Sequence, residues 1–345
     1  MKTRILLFVL MATINLNAFT QSVDFTGLKK IKMKNMQPIM VNNVVQGYYA
    51  FFLVDKASSK SNNYRLCILD NNLNETHKVN FIKPETTSLV EGEYNGSHFC
   101  FFYYDTKAKS QTLEMRDETG KKTGSYRLDA KKENLAFSET EDSPVTQSLI
   151  AVPNKGFVVV KYDKNTGYQT SLIFIDNAGK KVWESEKASP DAKSWDTQYV
   201  LYSDENYVLS QTTTRAKALS AKGMKTYIKI YNITDGSEEG EIELNTGRHA
   251  LSPYGANYDP ISNQILLYGE YYMRDKKGNM DIKNKVGFFI SKYKPNGELV
   301  KEGYTSWEKD IKPVIPFDED NKKRVSVCLS SFTMLSVLVT GNSMP

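Results

Sequence analysis

Apolar and polar positions alternate with a period of two through most of this chain, and each run breaks at a cluster of Asp, Asn and Gly. That pattern predicts short strands joined by tight turns. One hairpin keeps returning. Its five versions are Leu66-Cys67-Ile68-Leu69-Asp70-Asn71-Asn72, Leu113-Glu114-Met115-Arg116-Asp117-Glu118-Thr119-Gly120, Ile173-Phe174-Ile175-Asp176-Asn177-Ala178-Gly179, Ile228-Lys229-Ile230-Tyr231-Asn232-Ile233-Thr234-Asp235-Gly236 and Phe289-Ile290-Ser291-Lys292-Tyr293-Lys294-Pro295-Asn296-Gly297. Four copies end on Gly; the first has Leu73 in that place.

An aromatic-rich strand precedes each hairpin, as in Tyr48-Tyr49-Ala50-Phe51-Phe52 and His98-Phe99-Cys100-Phe101-Phe102. Such runs are apolar almost throughout, as strands covered on both faces are. A further short segment ending in turn residues, such as Tyr94-Asn95-Gly96-Ser97, comes before it. Each unit therefore reads as four strands, recurring about every 50–60 residues, the spacing of a propeller blade. The units cover approximately residues 38–83, 86–130, 145–188, 196–245 and 254–304. The predicted class is all-β, a β-propeller-like array of four-stranded blades, five of them visible, plus an incomplete or aberrant sixth. No sustained helical periodicity interrupts it. Residues 212–224 read either as a short helical turn or as an extended loop.

The two ends depart from the repeat. Lys2 and Arg4, the apolar residues 5–11 and the small residue Ala18 follow the order of a secretory signal, so residues 1–20 read as a signal peptide and residues 21–312 as the repeat domain. The apolar run is shorter than the roughly 18–20 residues that cross a membrane. No Cys follows it, so a lipoprotein is not indicated. The expectation is an exported protein, periplasmic or extracellular, without a transmembrane anchor after cleavage. Past Ser306-Trp307-Glu308-Lys309-Asp310 a sixth unit is due, but residues 313–345 form an aberrant tail, charged over 318–324 and apolar over 325–339. A buried strand pair, a tail anchor and out-of-frame sequence ending a longer protein are all compatible with it.

Charge excludes little but does exclude nucleic acid. Removing Lys2 and Arg4 takes the formal charge from +5 to about +3, too mild for a nucleic-acid footprint. Lys30, Lys32 and Lys34 alternate with Ile31 and Met33 and so share one face of a strand. The three cysteines, Cys67, Cys100 and Cys328, leave at least one thiol free; a Cys67–Cys100 disulfide between neighbouring units remains open.

Catalytic and metal motifs are missing. His77, His98 and His249 stand in different units without ligand spacing, so no metal and no cofactor is expected. No Gly-x-Ser-x-Gly elbow occurs. Ser189-Pro190-Asp191-Ala192-Lys193-Ser194-Trp195 is one imperfect copy of an Asp-box turn. Carboxylates are the remaining catalytic material. Asp55, Asp105 and Asp163 occupy one repeat position, the exit of the second strand, and in a ring they share a face. Paired carboxylates there could perform glycoside chemistry; Asp at a strand exit also forms turns through its own backbone. The Tyr pairs and Trp183, Trp195 and Trp307 could stack a sugar or peptide, or pack between blades.

Gln37-Pro38-Ile39-Met40, Gly47-Tyr48-Tyr49, Glu91-Gly92-Glu93-Tyr94-Asn95-Gly96, Leu201-Tyr202-Ser203-Asp204-Glu205-Asn206, Gly269-Glu270-Tyr271-Tyr272 and Ser306-Trp307-Glu308-Lys309-Asp310 carry a resemblance. Over residues 22–312 the chain resembles exported Bacteroidota β-repeat proteins grouped as a domain of unknown function. Such relatives continue with another strand unit where this chain departs, near Asp318. The resemblance brings no catalytic residues. The functional expectation is a non-enzymatic binding or scaffold module of the bacterial envelope, with a protein, peptide or glycan partner. The alternatives are a carbohydrate-active enzyme with ring-face carboxylates, and a truncated remnant.

Overall fold

The structure, a computed structural model, describes residues 36–41, 44–129, 133–135, 149–163, 169–185, 195–215, 225–244, 249–275, 278 and 280–314. The signal segment, the lysines at 29–34, residues 216–224, Cys328 and the tail beyond residue 314 lie outside them.

The class is all-β. Five separate sheets follow one another along the chain, and in each the strands run in sequence order with antiparallel neighbours. The first holds β1 (Met36–Val41), β2 (Val44–Ser58), β3 (Ser61–Asp70) and β4 (Glu75–Pro84). The second holds β5 (Thr87–Tyr94), β6 (His98–Asp105), β7 (Ser110–Asp117) and β8 (Lys122–Asp129). The third combines β10 (Leu149–Val152), β11 (Gly156–Asp163), β12 (Gln169–Asp176) and β13 (Lys181–Glu184) with a short fifth strand, β9 (Glu133–Leu135), paired to β11. The fourth holds β14 (Trp195–Ser203), β15 (Tyr207–Arg215), β16 (Lys225–Asn232) and β17 (Glu238–Glu243). The fifth holds β18 (Ala250–Asp259), β19 (Gln264–Arg274), β20 (Met280–Tyr293) and β21 (Leu299–Ser306). Each four-stranded meander has the topology of a propeller blade.

Two compact units divide these sheets. One comprises Met1–Ala130 with Asn177–Lys180, the other Lys131–Asp176 with Lys181–Pro345. In the first unit, one face of β2 and β3 presents Tyr49, Phe51, Tyr64 and Leu66 to Phe99, Phe101 and Tyr103 of β6. Phe51 and Phe101 pack as a tilted pair with ring centroids 4.9 Å apart, and Tyr49 donates to the Gly92 carbonyl at 2.7 Å. The other face of β2 buries Ala50 and Phe52 with Cys67. Burial on both faces explains why this strand is apolar throughout. Each large ring so buried is worth about 1.5–3 kcal/mol of transfer free energy. Cys67 and Cys100 are both buried free thiols, not a disulfide.

The second unit repeats the scheme. Val208 packs with Val158, Leu172, Phe174 and Trp183 of the third sheet. Its neighbour Leu209 points the other way, to Ile228, Ile265, Leu267 and Phe289. The fourth sheet is thus filled on both faces. Thr212 lies within β15, so the start of the segment read as turn or loop is strand. After β21 the chain enters a π-helical turn, Trp307–Ile311. Ser306 N donates to Asp310 Oδ2 at 2.7 Å across it, and Trp307 packs on Phe288 with centroids 4.9 Å apart.

The returning glycine has a steric task. Gly120, Gly179, Gly236 and Gly297 all have left-handed φ, between 75° and 84°. In each case the place of the missing Cβ is taken by the outer strand of the preceding sheet: Val79 of β4, Ser125 of β8, Trp183 of β13 and Glu241 of β17. Leu73 holds the same conformation at φ 63° in the first sheet.

Candidate functional site

The strand-exit aspartates take individual positions. Asp105 accepts from Lys107 N at 2.9 Å and Ala108 N at 2.8 Å, and from the Thr86 and Thr87 hydroxyls at 3.1 Å each. Burial works against its ionisation, but these donors outweigh it and hold the carboxyl below its ordinary pKa. Its oxygens therefore serve its own turn and the start of β5. Asp55 is exposed on β2 beside a bulge, opposite Asn63. The backbone of Asp163 pairs with Gln169 and Glu133, and its side chain is outside the described residues.

A cleft of about 510 Å³ forms elsewhere, within the second unit, between the outer strands of the fourth and fifth sheets. Glycines shape it. A Cβ on Gly240 of β17 would strike Asn296 and Pro295, and one on Gly297 would strike the Glu241 backbone. The β20–β21 turn can therefore lie directly on β17 and close one end. Ile242 and Tyr293, both buried, and Leu251 give the apolar floor.

The walls combine rings and carboxylates. His249, Tyr271 and Tyr304 contact one another, with centroid separations of 4.8, 5.5 and 5.0 Å. Glu241, Glu243 and Glu302 line the cleft with His249 and Tyr304, and no Lys or Arg is among the described lining residues. Tyr304 donates to Glu302 Oε2 at 3.0 Å. Burial, then that bond to a carboxylate, pushes the Tyr304 phenol up, so it stays a neutral donor at physiological pH. Lys229 Nζ lies 2.8 Å from Glu238 and 3.5 Å from Glu241. Burial opposes the charge of Lys229, yet the bond to Glu238 and the neighbouring charges raise its pKa, so the cation persists.

This arrangement can hold a cation or a polar ligand between aromatic faces. Among the described residues no group of His, Cys, Asp or Glu is placed to hold a metal ion. The sequence trace of the cleft is the acidic run Glu238-Glu239-Gly240-Glu241-Ile242-Glu243, charge of the kind edge strands carry. Its meeting with Tyr304 and His249 is a tertiary event that no local pattern announces.

The other charged cluster, in the first unit, is internal. Glu114 is 5% exposed and accepts from Lys83 at 2.6 Å and from Arg116 at 2.6 Å. Arg116 also donates to the Gly120 carbonyl at 2.7 Å and stacks on Phe81, 4.1 Å from its centroid. Those contacts support the β7–β8 turn.

A model of the family of unknown function DUF6770 matches residues 1–328. No curated protein matches the chain. The chain is similar in structure to an apocarotenoid oxygenase from Synechocystis at TM-score 0.41 and 9% identity, covering 79% of this chain and 64% of the oxygenase. It is similar to the β-propeller domain of the Trilobed protease from Pyrococcus furiosus at TM-score 0.38 and 13% identity, covering 79% of this chain and 82% of that domain. A quinohemoprotein alcohol dehydrogenase from Comamonas testosteroni gives 0.34 and 11%, covering 76% and 52%.

Proposed function

For a chain that belongs to the DUF6770 family, we propose a non-enzymatic binding module of the bacterial envelope, with the cleft between β17 and β21 as its site. The observation that carries this reading is the cleft itself: an aromatic and carboxylate wall between two adjoining sheets. Pockets of a few hundred cubic ångströms with a few convergent polar groups are the usual form of a recognition site. Export and an envelope location are supported by the charge, apolar run and small residue of segment 1–20. No helix among the described residues is long and apolar enough to cross a membrane.

The glycosidase alternative needs a carboxyl held protonated near neutral pH beside an ionised one. Eight described carboxylates are held below their ordinary values: Asp70, Asp105, Glu114, Asp117, Glu184, Asp235, Asp259 and Glu298. They are anions stabilised by turn amides, hydroxyls and lysines, which suits structure and binding rather than proton donation. Probing peptide and glycan arrays with the mature chain tests the reading. Reproducible binding lost in Tyr304→Leu supports it. Turnover of an envelope polymer, with no bound class on either array, sinks it.

A further inference from the structure

We propose that the outward face of the fifth sheet is a docking surface, and that its occupant is the apolar segment 325–339 of the same chain, which lies outside the described residues.

The repeat identifies the face. Ile290 holds the hairpin position of Leu66, Leu113, Leu172 and Ile228. Those four are 0% exposed, whereas Ile290 is 44% exposed. Leu66 is covered by the rings of β6, Leu172 by Val208 of the fourth sheet, and Ile228 by Ile265 and Leu267 of the fifth. In each case the cover is the next sheet in sequence. Ile290 lies between Tyr268 of β19 and Gly303 of β21, with Leu266 and Phe288 on the same face. Leu266, Tyr268 and Phe288 are only half-buried. The outer strand is open as well. Val79, Ser125, Trp183 and Glu241 each seat a turn of the following sheet. On β21, Leu299–Thr305 is exposed throughout, and a Cβ on Gly303 would meet nothing closer than the Ile290 carbonyl at 3.7 Å.

The path of the chain selects the occupant. Trp307 packs on Phe288, so the π-helical turn leaves β21 on this very face. Residues 315–324 reach about 30 Å when extended, more than the width of four strands about 4.8 Å apart. Beyond them Val325, Val327 and Leu329 alternate with Ser326, Cys328 and Ser330, the pattern of a strand with one apolar face. The family match continues to residue 328, into this segment. A tether of that length keeps the segment at an effective concentration of about millimolar. A second copy fits less well. Lys292 and Lys301 pair across the strands on this face, and a two-fold partner would set its own lysines against them. The segment also falls short of the roughly 18–20 residues that cross a membrane.

A bland reading competes: Lys292 and Lys301 could simply make this face the polar cap of an array. Photocrosslinking on the mature chain separates the two. With p-benzoylphenylalanine in place of Ile290, irradiation should join position 290 to peptides of 325–339 within one chain. The same probe in place of Ile82, 65% exposed in the first unit, should not reach that segment. Hydrogen exchange supplies a second readout. Amides of 325–339 should be protected in the wild type, and Ile290→Asp should speed their exchange about ten-fold or more while β19 and β20 stay protected. Ile82→Asp should leave them unchanged. Crosslinks between chains, with a dimer in solution, would replace the segment by a second copy and overturn the proposal. Equally fast exchange of 325–339 in wild type and Ile290→Asp, with no crosslink to the segment, would establish the cap and overturn it too.

Discussion

Trp183 Nε1 donates to the main-chain carbonyl of Ile233 at 2.8 Å. The donor sits on the outer strand of the third sheet and the acceptor in the β16–β17 turn of the fourth. The indole is buried, packs at a tilt against Phe174 with centroids 5.7 Å apart, and forms the surface on which Gly236 rests. One side chain thus fills the gap between two sheets and satisfies a turn carbonyl. Trp183→Phe keeps most of the volume but strands that carbonyl. It should cost about 1–3 kcal/mol, read as a lower urea midpoint with an unchanged slope.

The recurring glycine should be intolerant while its exception should be improvable. Gly236→Ala would place a Cβ 2.6 Å from Trp183 Cδ2 in a left-handed backbone at φ 75°, and should lose about 2 kcal/mol or more. Leu73→Gly relieves a left-handed leucine at φ 63° and should gain about 1 kcal/mol. Thermal melts of the two variants should move in opposite directions.

Glu114→Gln should destabilise in a pH-dependent manner. Burial disfavours the carboxylate, but Lys83 and Arg116 more than compensate, so the folded pKa lies below the ordinary value. The stabilisation is present above the unfolded pKa and is lost as pH falls through the folded one. At pH 7 the variant leaves Lys83 and Arg116 without their anion and should lose about 3 kcal/mol. Once the pH falls below the folded pKa wild type and variant should converge, as urea titrations across the acid range would show.

Burial pushes the Cys67 thiol up to about 11, and the fully buried Cys100 thiol rises as well. Both should resist alkylation at pH 8 in the native state and react on unfolding, measured peptide by peptide by mass spectrometry. Because the folded thiols keep their protons longer than the unfolded ones, stability should decline as pH climbs from about 9 towards 11. Fast native labelling of either residue would contradict this.

Asp105→Ala separates turn-making from ligand contact. It removes the acceptor of two turn amides and two hydroxyls and should cost about 1 kcal/mol. Binding of any ligand displaced by Tyr304→Leu should be unaffected. A loss of affinity at unchanged stability would return Asp105 to the site.

The unit of four strands was readable because period-two alternation and turn residues are local signals. Val158-Val159-Val160 and Ile173-Phe174-Ile175 could only be strands covered on both sides, and they are. The extra strand β9 was not readable: Glu133-Asn134-Leu135 is too short and polar to carry a period. The cleft escaped for a different reason. Its residues come from β17, the start of β18, and β20–β21, and what joins them is the close approach allowed by Gly240 and Gly297. Those glycines look in the sequence like any turn glycine. The repeat position of Asp105 drew notice because recurrence is visible, whereas its bonds to Lys107 and Ala108 are a private matter of one turn.

The glycine contacts also have a direction. Gly120, Gly179, Gly236 and Gly297 each look back to a strand made earlier in synthesis. A nascent sheet leaving the ribosome therefore finds the seat of its turn glycine already in place. Assembly can proceed from the amino end one sheet at a time. Loss of sheets from the carboxyl end would take away only their own glycines, while loss from the amino end would remove the seat of the sheet that follows. The glycine seats therefore run one way along the chain, each later turn resting on an earlier strand.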